Sequence, residues 1–227
     1  MSSTPSRPRV APVFGLTLLE TLRDQDLPAE FLQDEVPSVT MPRRLGLSDV
    51  VDRQIRSYRD AVRQRARMSD EQVRDLIRLV VRRPDAAELF HRAGRKLGAR
   101  AGGGRFTRAS RVLPRGLRFR LARRAAARGL NRLFGRRVGG FAQGPFALEG
   151  RGLLFLDGDP SGRACHFVTG FCQAVVAQRL GPEYMVVHAQ CQAHRDPMCR
   201  WTVTGEARQR ERDGVREMLL RPELEAG

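Results

Sequence analysis

VVHAQCQAHRDPMCRWTV, residues 186–203, decides the fold class. Residues 184–188 and 199–204 read as two strands, and Asp196 and Pro197 between them supply the turn chemistry of an antiparallel hairpin. Immediately upstream, residues 163–180 have helical spacing, with Ala164, Val168, Phe171 and Val175 on one face and Gly181 closing the helix. Before that helix, 146–149 and 153–157 read as a first hairpin around Gly150 and Gly152. Everything earlier is helical or irregular. The order of helices, hairpin, helix and hairpin contains no βαβ alternation, so the predicted class is α+β, with a helical N-terminal part packed on a small antiparallel sheet.

The helical part is legible in its stripes and caps. A short helix is expected near 16–23. A second covers about 48–66, with Ser48 as cap and Val51, Ile55, Tyr58 and Val62 on one face. Ser69 and Gln72 then form a capping box, Met68 staples onto Val73, and Val73, Leu76, Ile77, Val80 and Val81 keep the helical rhythm until Pro84. Asp85 opens the next helix, whose stripe is Ala86, Leu89, Phe90, Ala93 and Leu97 and whose stop is Gly98. After the glycines at 102–104 comes a basic helix over 118–134. Phe119, Ala122, Ala126, Leu130 and Leu133 gather on one side of it, and Arg120, Arg124, Arg128 and Arg132 form a ridge on the other.

Charge is the most informative part of the composition. The chain has 227 residues and a formal net charge of +16. Between His91 and Arg137 lie fifteen Arg, one Lys and no acid, and the 25 basic residues left elsewhere match the 25 acidic ones. The protein is a neutral body carrying one cationic belt. A chain of this length buries roughly 70% of its unfolded surface and needs no disulfide staples. Its four cysteines, at 165, 172, 191 and 199, crowd into one stretch, which is not how a disulfide scaffold is built. Pro12 and Gly15 break the apolar run at 10–19, so no signal peptide is expected, and no window reaches the roughly 18 to 20 apolar residues of a membrane span. The expected organisation is a disordered tail at 1–12, a helical extension at 13–84, a ligand-binding domain at 85–205 and a charged, partly helical tail at 206–227. The expected location is cytoplasmic.

Cys165 falls in the first turn of a helix, where the helix dipole favours a thiolate. His188 ends one strand, Cys191 lies in the following turn, and Cys199 begins the returning strand, so the hairpin gathers three of the four. Three thiolates and an imidazole form a closed tetrahedral zinc set. The same residues also fit small, reduced core cysteines, and spacing alone leaves both readings open.

ACHF at 164–167, taken with 186–203, resembles the C-terminal signature of the 4-vinyl-reductase domain family. Cys165, Cys191 and Cys199 match that family's three cysteines, and Asp196, Pro197, Arg200 and Trp201 match its turn and strand. The stretch 112–144 is similar to the bacteriochlorophyll 4-vinyl reductase type. The resemblance extends over about 85–205 and is strongest at 164–203. His188 stands where the family usually has Glu, and His194 and Arg195 replace the residues expected before the Asp. Histidine in place of glutamate preserves a zinc ligand and makes the site less negative.

The resemblance implies a fold shared with vesicle-tethering subunits and hydrophobic-ligand sensors, a structural zinc on Cys165, His188, Cys191 and Cys199, and a homodimer. Cys172 matches no family ligand and is assigned to the core. The function it implies is a tetrapyrrole-binding accessory protein of bacteriochlorophyll biosynthesis, working beside other pigment-synthesis enzymes and peripherally at an anionic inner membrane. Arg120, Arg124 and Arg128 would meet the ligand's carboxylates, and His166 is the candidate axial ligand to the macrocycle. The alternative is a zinc-stabilised sensor or adaptor for another small hydrophobic ligand. Whether the protein itself reduces a vinyl group stays open. No Gly-x-Gly-x-x-Gly turn, Walker loop or flavin signature is present, so a reduction would draw electrons from a partner or an unadvertised cofactor. Nucleic acid is disfavoured as a partner, because the basic run carries only Phe106, Phe119 and Phe134 as aromatics and no reading motif.

Overall fold

Glycines let two helix backbones touch at the centre of the molecule. In the computed structural model, which describes residues 9–26, 50–103, 113–142 and 146–205, the helices are α1 (Val13–Asp26), α2 (Val50–Arg63), α3 (Asp70–Val81), α4 (Ala86–Gly102), α5 (Arg115–Phe134), α6 (Leu154–Gly158) and α7 (His166–Arg179). The strands are β1 (Gly140–Phe141), β2 (Ala147–Gly150), β3 (Tyr184–Gln190) and β4 (Cys199–Gly205). They form one antiparallel sheet in the order β1-β2-β4-β3. The fold is α+β, as predicted. Among the described residues, no helix is long and apolar enough to cross a membrane.

α7 lies between the sheet and α4. A Cβ on Gly94 would overlap the Phe167 carbonyl, one on Gly98 the Phe171 carbonyl, and one on Gly170 the His91 carbonyl, so only glycine permits this approach. Gly98 therefore does not stop α4, which runs on to Gly102; its missing side chain serves the contact with α7. Phe14, Phe134, Phe155 and Phe167 meet near the start of α7 with ring centroids 5.0 to 6.3 Å apart. One continuous core runs from Val10 to Trp201.

Several local expectations hold and others change. The Ser69 hydroxyl accepts from Gln72 N at 3.2 Å, and Gln72 Oε1 accepts from Ser69 N at 2.9 Å, completing the capping box. Asp85 stands immediately before α4, as expected, but its side chain makes no cap hydrogen bond. Its carboxylate instead accepts from Arg83 Nε and Gln25 Nε2, both at 2.9 Å, tying α1 to the α3–α4 turn. The hairpin expected from 146–149 and 153–157 does not form. Gly152, at φ +56°, turns the chain out of the sheet, and Leu154 and Phe155 enter the core as a helical turn. β2 pairs with β1 and β4 instead.

The tail expected at 1–12 is ordered at its end. Val10 is buried, Met68 N donates to its carbonyl at 2.8 Å, and Ala11 N donates to Leu133 O at 2.7 Å. Residues 1–8, the tail at 206–227, the Ser48 cap and Phe106 lie outside the described residues.

Gly170→Ala pushes a methyl group into a backbone carbonyl that α4 cannot move, and should cost about 3 kcal/mol or more. Gly116→Ala in α5 meets nothing within 4 Å and should be neutral or gain up to about 1 kcal/mol. Urea denaturation midpoints compare the two.

Candidate metal centre

Cys165, His188, Cys191 and Cys199 each bring one donor atom to a single point, all within 4.8 Å of one another. The three cysteines are buried and His188 is half-buried. This cluster could hold a metal ion, and its three sulfurs and one imidazole suit zinc. Three segments converge to build it.

The first segment delivers Cys165 at the end of a 3-10 turn, Arg163–Cys165, that leads into α7. Asp159 holds that turn. It is fully buried, and its carboxylate accepts from Ser161 N at 2.9 Å, from the Ser161 hydroxyl and from Ala164 N at 2.6 Å. Gly162 follows at φ +80°, and a Cβ there would lie 3.0 Å from Cys191 Sγ, so glycine leaves room for the thiol. Asp159 and Gly162 were not singled out from the sequence. The signal was present in Asp-Pro-Ser-Gly before a helix, the pattern of a side-chain-capped turn.

The second segment is β3. His188 pairs with Trp201 across the β3–β4 ladder, and their rings stack with centroids 4.6 Å apart and planes within 6°. Trp201 is itself pinned, because its Nε1 donates to Thr169 Oγ1 of α7 at 3.1 Å. The imidazole is thus clamped in orientation, yet His188 Nε2 is buried with no hydrogen-bond partner. A buried, unpaired ring nitrogen is costly unless something else satisfies it. A metal ion at the cluster would do so.

The third segment is the turn after a register shift between His188 and Gln190, which redirects the chain toward Cys191. Asp196 Oδ2 accepts from Cys191 N at 2.7 Å, Arg195 adopts φ +69°, and Gln192 N donates to Cys199 Sγ at 3.4 Å. The Asp-Pro turn therefore shapes the loop that carries two thiols.

The thiols interact strongly. The hydrogen bond from Cys165 holds the Cys199 thiol below its ordinary range, helped by the nearby His188 ring, and the same bond pushes Cys165 up. Burial raises Cys191. Cys172, two turns along α7, is outside the cluster, and burial pushes its thiol up to about 12, as suits a core residue.

The ligand residues expected from the sequence do not gather at one place. A groove of about 450 Å³ opens between α4, α5 and α7, and Arg128 and Arg132 line it, whereas Arg120 and Arg124 do not. All four are exposed. His166, also exposed, sits beside Cys165 at the start of α7, about 20 Å along the helix axis from Arg179, which lines the groove at the other end. Arg100 and Arg179 of the groove were missed, because they belong to other helices than the basic ridge.

No family model matches the chain, and no curated protein or solved structure matches it either.

Asp159→Ala leaves the buried Ala164 N–H unpaired and should lower stability by about 1 to 3 kcal/mol in thermal denaturation. It should also loosen the turn that presents Cys165, so that a disulfide reagent labels that thiol faster than in the wild type.

Proposed function

We propose that this protein is a zinc-stabilised ligand-binding module of the 4-vinyl-reductase domain type, and that its ligand is a tetrapyrrole handled during bacteriochlorophyll synthesis. The observation that carries this reading is the closed set of Cys165, His188, Cys191 and Cys199 at the positions where the sequence resembles that family. The orphaned His188 Nε2 and the absence of any competing hydrogen-bond partner at that atom favour a bound ion over four reduced core side chains.

Zinc held by four protein ligands has no open position for a substrate, so its role is structural: it ties the β3–β4 hairpin to the start of α7. The chemistry of ligand binding then falls to the chain itself. The groove between α4, α5 and α7 offers an apolar floor, including Leu97, Leu133 and Phe171, next to cationic side chains. A flat macrocycle with a carboxylate edge has the same division into apolar face and anionic rim. The volume lies within the range of small-molecule sites, roughly 300 to 1,000 Å³.

Two measurements check the two parts. Elemental analysis of the purified protein should find about one zinc per chain; Cys191→Ser should lose the metal and melt earlier, and Cys172→Ser should keep the metal. A folded wild type without metal contradicts the zinc centre. Adding protochlorophyllide or chlorophyllide should shift the pigment's absorption in a saturable manner. If it does not, the tetrapyrrole assignment falls, and a sensor for another hydrophobic ligand takes its place.

A further inference from the structure

We infer that the groove between α4, α5 and α7 is an anion-recognition site in which Arg100, Arg128, Arg132 and Arg179 hold the carboxylate end of an apolar ligand. The inference rests on the ligand-binding reading above and deepens it, since it names the chemical group that the ligand must carry.

The four arginines come from three helices: Arg100 from α4, Arg128 and Arg132 from α5, and Arg179 from α7. Among the described residues, no acidic one lines the groove with them. Elsewhere arginines meet carboxylates: Arg59 pairs with Glu20, Arg83 with Asp26 and Asp85, and Arg136 with Asp70. Among the described residues none of the groove's four has such a partner, and Arg128 makes only a bond within its helix, to the Arg124 carbonyl at 3.2 Å.

Neighbouring cations of the same belt serve the fold instead. Arg118 donates to the carbonyls of Arg179 and Leu180 at the end of α7, and Arg123 donates to the Ala142 carbonyl while lying 5.1 Å from the Phe141 ring centroid. The groove's cations have no such task.

Arg179 is the most telling member. Its Nε is buried and has no hydrogen-bond partner. A guanidinium N–H out of water and unpaired is unfavourable, and four like charges around one concavity repel one another. A carboxylate in the groove answers both problems at once.

The floor fits the rest of such a ligand. At Gly129, between the two α5 arginines, a Cβ would lie 2.7 Å from the Phe171 ring and 2.8 Å from Ala101 Cβ. Glycine there lets α5 close on the other helices and leaves the Phe171 ring to face the groove. The occupant this defines is an apolar body ending in one or more carboxylates. A tetrapyrrole propionate and a fatty acid share that chemistry.

The test uses the full-length, metal-loaded protein and three probes: protoporphyrin IX, its dimethyl ester, and oleate. Porphyrin binding is read by absorption and fluorescence anisotropy, and oleate by displacement of a fluorescent fatty acid. Protoporphyrin IX should bind, and its ester should bind roughly tenfold or more weakly. R128A/R132A and R179A should each weaken the acid by roughly tenfold to a hundredfold, as expected for lost charge-assisted bonds. R120A/R124A removes the same charge from the same helix outside the groove and should change affinity by no more than about twofold, by general electrostatics alone. Circular dichroism melts confirm that each variant is folded.

If the ester binds as tightly as the acid, or the outer pair matters as much as the inner pair, the groove assignment is overturned while the tetrapyrrole reading survives. If oleate binds in a groove-dependent manner and porphyrin does not, the groove stands and the tetrapyrrole reading falls. If neither acid binds, both are overturned.

Discussion

The main chains of α4 and α7 lie against each other with no side chains between them, because Gly94 and Gly98 on one helix and Gly170 on the other leave room for the facing carbonyls. That contact fixes the position of α7 against α4. Its first residue follows Cys165 of the metal cluster, and its last, Arg179, reaches the cationic groove. A small shift of α7 would therefore displace both sites. The aromatic cluster around Phe167 packs at the start of the same helix, so α7 is held by ring packing as well as by backbone contact.

At the cluster, the sheet meets this fixed helix through polar chemistry. Cys165 comes from the helix side, and His188, Cys191 and Cys199 from the hairpin. The hydrogen bond between Cys165 and Cys199 raises the first thiol and lowers the second, and burial raises Cys191. Buried thiols next to a buried, unpaired imidazole nitrogen have little reason to sit together for packing alone. A divalent cation held here would tie the hairpin to the helix, because metal binding and folding would then share one free energy.

Much of this was legible in the sequence. The hairpin at 184–204, its Asp-Pro turn and the Ser69–Gln72 capping box were readable because each depends on local chemistry at fixed spacing, whereas the four donor residues, which spacing left open, were picked out by the family resemblance. What escaped was non-local. Gly98 read as a helix stop because its partner, the Phe171 carbonyl, is far away in the chain. Leu153–Asp157 read as a strand because an apolar run of that length is ambiguous until the core that receives Phe155 is known. The basic helix was visible as an amphipathic ridge, but which of its arginines turn toward a groove depended on α4 and α7, and two of the groove's four cations lie on those helices.

Cys165, His188, Cys191 and Cys199 are proposed to form one metal centre. X-ray absorption at the zinc edge of the purified protein tests it most directly. The expected result is a four-coordinate zinc with three sulfurs at about 2.3 Å and one nitrogen at about 2.0 to 2.1 Å. A shell without sulfur, with two sulfurs or fewer, or with a fifth, solvent-derived ligand would contradict it.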